Sequence, residues 1–166
     1  LRVLDVQSDR DHNRSVLTLT NVTASSGAVL HHWAGTLYLH NSILANNGFL
    51  DCHGGGTIAS NINTLIESGT CGGSITGDPV LGTLGDYGGA SWTMPLLPGS
   101  PALDTGDSAT CATTDQRGEA RDGLCDIGAF ESQGFTFTLT SGDNQSALIG
   151  EFFADPLAFT VSANES

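Results

Sequence analysis

Five aspartates in the middle of the chain have the chemistry of a calcium site. Ca²⁺ takes about six to eight oxygen ligands, which clustered carboxylates and backbone carbonyls can supply. The residues lie in tight, glycine-rich turns and are Asp104, Asp107, Asp115, Asp122 and Asp126. Neither the EF-hand spacing nor the nonapeptide calcium spacing is present. Calcium is therefore one prediction for these residues, and no other cofactor is predicted.

The alternative role for the same aspartates is structural. Asp side chains accept hydrogen bonds from nearby backbone amides and so stabilise turns. The same stretch contains two arginines that could pair with acids, and the candidate partners are Arg117 or Arg121 with Asp126 or Glu131. Both interpretations stay open at the level of the sequence.

Four of the five histidines lie in or near the predicted coils and offer a second kind of metal ligand. They are His31, His32, His40 and His53. Alternate residues of a strand share a face, whereas the adjacent His31 and His32 would point in opposite directions and could not bind one ion together. Packing at the surface or in turns is the role we expect for these side chains.

Catalytic groups for polysaccharide cleavage are sparse. Lyases that act on acidic sugars neutralise the substrate carboxylate with Lys or Arg, but the chain has no Lys. Hydrolases use paired carboxylates, and no Asp-Asp sequence occurs. We therefore predict a non-enzymatic protein, with a polysaccharide lyase or hydrolase as the least favoured alternative. Trp33, Tyr38 and Trp92 could stack on sugar rings, so a carbohydrate-binding or adhesin stalk fragment is the second interpretation.

Composition and charge exclude several classes of partner. The formal net charge is −13, and a field of that sign repels nucleic acid. No apolar run is long enough to cross a bilayer, so membrane insertion is not predicted. Only 14% of the residues are charged and 22 are Gly, which is typical of a turn-rich, all-β protein.

Four cysteines and four sequons indicate a secreted chain. The nearest neighbours are Cys52 with Cys71 and Cys111 with Cys125. Three pairings are possible, and closure between nearest neighbours is the simplest. Disulfides require an oxidising compartment, so we predict an extracellular or cell-surface location. The candidate glycosylation sites are Asn13, Asn21, Asn144 and Asn164.

A repeat of about 20 residues runs through residues 1–77. Short alternating strands begin at Leu17, Leu37 and Ile58. The Asn residues that follow them are Asn21, Asn41 and Asn61. Repeats of this length indicate a solenoid, and the leucine-rich-repeat frame is absent, so we predict a short parallel β-helix of about three coils. The Asn residues could stack their amides in a ladder, or they could reflect turn propensity alone.

Residues 78–131 are punctuated by Gly and Pro and should form turns rather than long strands. Their motifs are Asp-Pro at 78–79, Gly-Asp-Tyr-Gly-Gly at 85–89, Leu-Pro-Gly-Ser-Pro-Ala-Leu-Asp-Thr-Gly-Asp at 97–107, Asp-Gln-Arg-Gly at 115–118 and Asp-Ile-Gly-Ala-Phe-Glu at 126–131. This stretch resembles the segment that closes the C-terminal end of bacterial right-handed parallel β-helix surface proteins of the choice-of-anchor and polymorphic outer-membrane types. The resemblance implies a fold and an extracellular setting but no particular activity. The likeness is weaker at residues 62–65, so we expect the last coil to be irregular.

Residues 132–166 alternate cleanly at 134–140 and 156–161, which predicts two strands around a turn. They resemble the opening strands of a bacterial immunoglobulin-like domain. A complete sandwich needs about seven strands and ~100 residues. We therefore expect an incomplete sheet that pairs with another one. The residues expected to mediate assembly are Phe135, Phe137, Leu139, Leu157, Phe159 and Val161, together with Val3 and Val6 in the first strand.

The sequence thus predicts an all-β protein in three parts: a short right-handed parallel β-helix at 1–77, a turn-rich closing segment at 78–131 and a C-terminal β-strand tail at 132–166. Unpaired strands at both ends favour head-to-tail contacts between copies, which give filaments when they do not close. The predicted function is that of a non-enzymatic subunit of a surface filament or sheath, joined by strand exchange or coil stacking. The predicted partners are copies of the same chain and, in the second interpretation, surface polysaccharide.

Overall fold

The described part of the chain consists of β-strands and turns, without an α-helix. A computed structural model describes residues 3–6, 15–27, 29–121 and 123–165, and for 3–6 it describes the backbone. The strands are β1 (Val3–Val6), β2 (Val16–Thr20), β3 (Thr23–Ser25), β4 (Val29–His32), β5 (Thr36–His40), β6 (Ile43–Ala45), β7 (Cys52–His53), β8 (Thr57–Ile62), β9 (Leu65–Ile66), β10 (Phe135–Ser141) and β11 (Ala158–Ala163). The prediction of an all-β protein is confirmed.

The first nine strands form three parallel sheets. Their orders are β1-β4-β7, β2-β5-β8 and β3-β6-β9, so each strand pairs with the strand three places further along the chain. In the middle sheet Val16 pairs with Thr36, which in turn pairs with Thr57. The chain therefore returns to each sheet after about 20 residues, as the repeat in the sequence indicates.

The core between these sheets is built from alternating Leu residues. In β5 the side chains of Leu37 and Leu39 are fully buried, whereas those of Thr36, Tyr38 and His40 are half-buried. This alternation follows from the two-residue period of a strand. The members of the cluster are Leu19, Leu30, Leu37, Leu39, Leu44, Cys52, Ile66 and Cys71. Each buried Leu contributes roughly 2 kcal/mol relative to an exposed one.

The third strand of the middle sheet contains an extra residue. Leu37 pairs with Ile58, but the next residue, Tyr38, pairs with Ser60, so Ala59 forms a β-bulge. The bulge shifts every later residue of β8 by one position, so Asn61 pairs with Leu39 inside the strand and Ile62 pairs with His40. The residue at the third corner is consequently Asn63, not the predicted Asn61. The irregularity expected around residues 62–65 begins at this bulge.

The closing segment, residues 78–131, contributes to a second hydrophobic cluster. Leu96, Ala102 and Ile127 are almost fully buried there. They pack with side chains of the parallel sheets, which are Ile43 and Ala45 of β6 and Leu65 of β9. The segment itself is held by isolated bridges, such as Leu81 with Leu96 and Gly85 with Thr93, rather than by long strands. Gly and Pro account for this, because they interrupt any regular ladder.

Residues 132–166 form a second compact unit, distinct from residues 1–131. Within it β10 and β11 are antiparallel, with Phe137 opposite Val161 and Leu139 opposite Phe159. Directly opposed residues lie on the same face. One face of this two-stranded sheet is therefore apolar, and the other consists of Thr and Ser residues.

Candidate functional site

The described aspartates stabilise turns and do not converge on one point. Asp107 accepts a hydrogen bond from the Thr110 hydroxyl at 2.8 Å, and Asp126 accepts one from the Asp104 amide at 2.7 Å. Among the described residues no group of three His, Cys, Asp or Glu side chains is placed to hold a metal ion. Asp122 lies outside the described residues. The geometry thus gives the calcium prediction no support, and the contacts are those of the turn-stabilising alternative.

Two arginines of the closing segment form buried ion pairs. Arg121 Nη1 lies 2.6 Å from Glu131 Oε2, and Arg117 Nε lies 2.8 Å from Asp115 Oδ2. All four side chains are at most 4% exposed. The pair of Arg121 with Glu131 is among those predicted, whereas Arg117 instead pairs with Asp115 in its own turn. The Arg117 guanidinium also stacks on Phe130, 3.7 Å from the ring centroid.

Burial acts to raise the pKa of both the Asp115 and the Glu131 carboxyl groups, but the net shifts have opposite directions. For Asp115, burial acts to raise the pKa, but hydrogen bonds from the Glu131 amide and from Arg117 outweigh it, so the pKa lies below its ordinary value of 3.8. For Glu131, burial raises the pKa above its ordinary value of 4.5. Neither the hydrogen bond from the Asp126 amide nor the ion pair with Arg121 offsets that effect.

We expect the first unit to be more stable near pH 4.5 than at pH 7, and to lose stability again below about pH 3.8. The Asp115 contribution is complete above its unfolded pKa and is lost as the pH falls through its lower folded pKa. The Glu131 contribution is complete below its unfolded pKa and is lost as the pH rises through its higher folded pKa. The sequence pI of about 4.3 adds to this, since self-repulsion is smallest there.

Urea unfolding at several pH values, followed by Trp fluorescence, measures this profile. Both tryptophans lie in residues 1–131, so the signal reports on the first unit. Asp115→Asn should flatten the decline on the acid side, and Glu131→Gln should flatten the decline towards neutral pH. Stability that rises steadily from pH 4.5 to pH 7 would contradict the assignment.

The structure contains the two disulfides that closure between nearest neighbours predicts. Cys52 is joined to Cys71, and Cys111 to Cys125. The first bridge lies in the core of the parallel sheets, and the second is within the closing segment. Each closes a short loop and so limits the unfolded chain, an effect of about 3 kcal/mol per bridge.

The corner asparagines hold the closing segment against the parallel sheets. Asn21, Asn41 and Asn63 all have positive φ, at 51°, 46° and 44°. Asn is one of the few residues that adopt this conformation readily. The described hydrogen bonds of their side-chain amides lead to the closing segment, and the positive φ angles agree with turn propensity, the second of the two roles that the sequence leaves open. Asn63 Nδ2, for example, donates to the Thr105 carbonyl at 2.8 Å.

Asn41 makes the most complete of these contacts. Its side chain is fully buried. Oδ1 accepts from the Asp107 amide at 2.7 Å, while Nδ2 donates to the Asp107 carbonyl at 3.0 Å and to Thr110 Oγ1 at 3.3 Å. The side-chain amide of Asn41 thus pairs with both the N–H and the C=O of Asp107. This is the same pair of hydrogen bonds that a residue of a neighbouring strand would make. Local sequence indicates the turn but not this partner, which is 66 positions away.

The four predicted glycosylation sites differ in accessibility. Asn144 and Asn164 are exposed in the second unit, and Asn13 lies outside the described residues. Asn21 is half-buried, and its amide faces the Cys125 sulfur at 3.6 Å and accepts from the Ala112 amide at 2.9 Å. A glycan on Asn21 would displace these contacts, so the structure argues against that site.

The histidines pack against one another and against aromatic rings. His31 of β4 and His53 of β7 are paired in register, with ring centroids 6.5 Å apart. Trp33 meets His53 edge-on at 4.9 Å, and His32 is buried on the opposite side of β4. Tyr38 packs edge-on against His40 at 6.4 Å. These contacts are those expected of packing side chains.

The residues predicted to mediate assembly are largely exposed. Phe137 is 67% exposed and Phe159 is 56% exposed. Leu139, Leu157 and Val161 are also exposed, while Phe135 is half-buried. For Val3 and Val6 the structure describes only the backbone, which pairs with β4. Taken by itself, the second unit therefore has an uncovered apolar face on β10 and β11.

Two adjoining cavities lie between the corner of the parallel sheets and the closing segment. The larger, of about 320 Å³, is lined by Thr20, Asn21, Val22, Thr23, Ala112, Thr114, Asp115, Gln116, Arg121 and Ala129. The smaller, of about 210 Å³, is lined by Thr23, Ser25, Ser26, Leu84, Trp92, Thr93, Met94 and Gln116. Thr23 and Gln116 line both, and we name the pair the Trp92 groove. Of its residues only Trp92 was singled out from the sequence as a sugar platform, because the others come together only in the fold.

No described segment forms a helix that could span a membrane. Comparisons of the chain with protein-family models, curated proteins and solved structures found no significant match.

Proposed function

We propose that the chain is a non-enzymatic, extracellular structural protein whose copies join head to tail into a filament or sheath. The observation that carries this proposal is the exposed apolar face of β10 and β11, which holds Phe137, Leu139, Phe159 and Val161. A two-stranded sheet with no cover on its apolar face is marginal in water. Pairing with a neighbouring copy would bury that face.

The architecture we propose is a short right-handed parallel β-helix at 1–77, a closing segment at 78–131 and a strand tail at 132–166. Its support is the pairing of each of the first six strands with the strand three places later along the chain. The two disulfides favour an oxidising, extracellular setting.

The surface that would receive the tail is the open edge of the first coil. In the described residues β1, β2 and β3 each pair with one strand only, so one side of each has unpaired backbone groups. Such an edge is a template for a strand from another molecule. A donor at one end and an acceptor at the other make a contact that repeats along a line.

The charge of the chain sets the conditions for assembly. Copies with a net charge of −13 repel one another, and salt screens this repulsion. Assembly should therefore increase with ionic strength. A contact held by surface ion pairs would instead weaken as the ionic strength rises.

Sedimentation velocity and electron microscopy of residues 1–166 test the proposal. We expect concentration-dependent linear assemblies that grow between low salt and roughly 0.5 M NaCl, whereas residues 1–131 should remain monomeric. Phe137→Glu should abolish assembly because it places a charge on the apolar face. Thr138→Glu adds the same charge to the opposite face of the same strand and should assemble normally. A monomer under all conditions, or equal assembly by both variants, would disprove the proposal.

A further inference from the structure

The Trp92 groove has the composition of a sugar-binding site. At the edge of the groove Trp92 is 64% exposed, and Leu84, which lines the same cavity, is 50% exposed. The remaining lining is rich in hydroxyl and amide groups, including Thr23, Ser25 and Gln116. Binding sites for small ligands combine an apolar platform with a few polar groups, and their volumes begin at roughly 300 Å³. The larger cavity reaches that size alone.

Each cavity also contains a buried polar atom that lacks a hydrogen-bond partner. These atoms are Ser25 Oγ in the smaller cavity and Arg121 Nε in the larger. The Arg121 side chain is only 2% exposed, and its other nitrogens bond to Glu131 and to backbone carbonyls. Buried polar groups are rarely left unpaired, so two of them along one groove point to a polar ligand.

The charges around the groove select the kind of ligand. Arg121 is neutralised by Glu131 and Asp115 by Arg117, so these residues present no uncompensated positive charge to a ligand. The chain as a whole is strongly acidic. An acidic sugar would therefore be repelled, whereas a neutral one would not. The apolar C–H face of a pyranose ring can pack on Trp92 while its hydroxyls bond to Ser25, Thr23 and Gln116.

We propose that the Trp92 groove binds a neutral oligosaccharide, with Trp92 as the stacking platform and Ser25 Oγ as a hydrogen-bonding group. Thr20, Thr23 and Ser25 belong to β2 and β3, whose edges receive the tail in the proposed assembly, but no groove residue lies on the apolar face of β10 and β11. Glycan binding can thus be measured in Phe137→Glu, which should not assemble. The two proposals can therefore fail separately. A structural protein with such a groove would attach to a glycan as well as to its own copies.

Affinity electrophoresis of residues 1–166 with dextran, laminarin, mannan and xylan tests this inference, with polygalacturonate as the acidic comparator. We expect retardation by at least one neutral glycan and none by polygalacturonate. Trp92→Ala should weaken binding about tenfold or more. Trp33→Ala is the matched control, because Trp33 is 60% exposed but packs on His53 and lines neither cavity. It should bind like the unchanged chain.

A second variant separates a ligand contact from a structural one. Ser25→Ala removes an unpaired buried hydroxyl, so it should leave the melting temperature unchanged or higher. The same change should weaken glycan binding by about 2- to 10-fold. Repeating the measurement in Phe137→Glu removes any effect of assembly. Absence of retardation by all four neutral glycans, or equal loss in Trp92→Ala and Trp33→Ala, would overturn the proposal.

Discussion

Asn41→Ala is expected to lower the free energy of unfolding of the first unit by about 3–5 kcal/mol. The substitution leaves the amide and the carbonyl of Asp107 without their side-chain partner inside the protein. An unsatisfied buried polar group costs about 1–3 kcal/mol. The positive φ of 46° adds roughly 1 kcal/mol, because Ala adopts it less readily than Asn. Urea unfolding followed by Trp fluorescence measures the change.

Two controls separate these contributions. Asn46 has a similar φ of 58°, but its side chain is exposed. Asn46→Ala should therefore cost only the conformational part, about 1 kcal/mol. Asn41→Gly removes the hydrogen bonds without the backbone strain, so it should remain strongly destabilising. If Asn41→Ala and Asn46→Ala were equally destabilised, the docking role of Asn41 would be refuted.

The coils were predictable because their signal is local and periodic. Alternating strands that begin at Leu17, Leu37 and Ile58 lie in one sheet, as the spacing predicts. The bulge at Ala59 was not predictable, because one extra residue leaves the hydrophobic alternation ambiguous. The third corner is therefore Asn63, which follows Ile62, whereas the predicted Asn61 pairs with Leu39 inside β8.

The contacts of the closing segment were beyond the reach of the sequence for a different reason. Its Asp, Gly and Pro residues predict turns, and turns are what they form. Their partners, however, lie far away: Asn21 meets residues 90 to 105 positions further along the chain. Arg117 could have paired with several acids, and only the folded backbone places Asp115 beside it. The Trp92 groove depends on the same long-range placement.

The tail illustrates what alternation can and cannot determine. Strands predicted at 134–140 and 156–161 correspond to β10, Phe135–Ser141, and β11, Ala158–Ala163. Alternation also assigns the apolar residues to one face. It does not determine what covers that face, because the covering residues are not encoded in the local pattern of the two strands.

Arg121→Leu is expected to destabilise the first unit by about 3–5 kcal/mol, because it leaves the Glu131 carboxylate buried without its partner. Arg121 also donates to the carbonyls of Asp126 at 3.1 Å and Gly128 at 2.7 Å, so two backbone acceptors lose a donor as well. Glu131→Leu should cost a similar amount, since it leaves a buried guanidinium unpaired. Urea unfolding at pH 7 measures each variant.

The double variant Arg121→Leu/Glu131→Leu distinguishes a coupled pair from two independent residues. Removing both charges eliminates the unpaired ion, so the double variant should be destabilised no more than the worse single variant, a coupling of about 2 kcal/mol or more. Glu119→Gln removes an exposed charge from the same segment and should change stability by no more than about 0.5 kcal/mol. Strict additivity of the two single changes would show that the ion pair does not hold the closing segment together. Coupling would identify this buried pair as the means by which a segment without regular strands is held together internally, while the corner asparagines bind it to the parallel sheets.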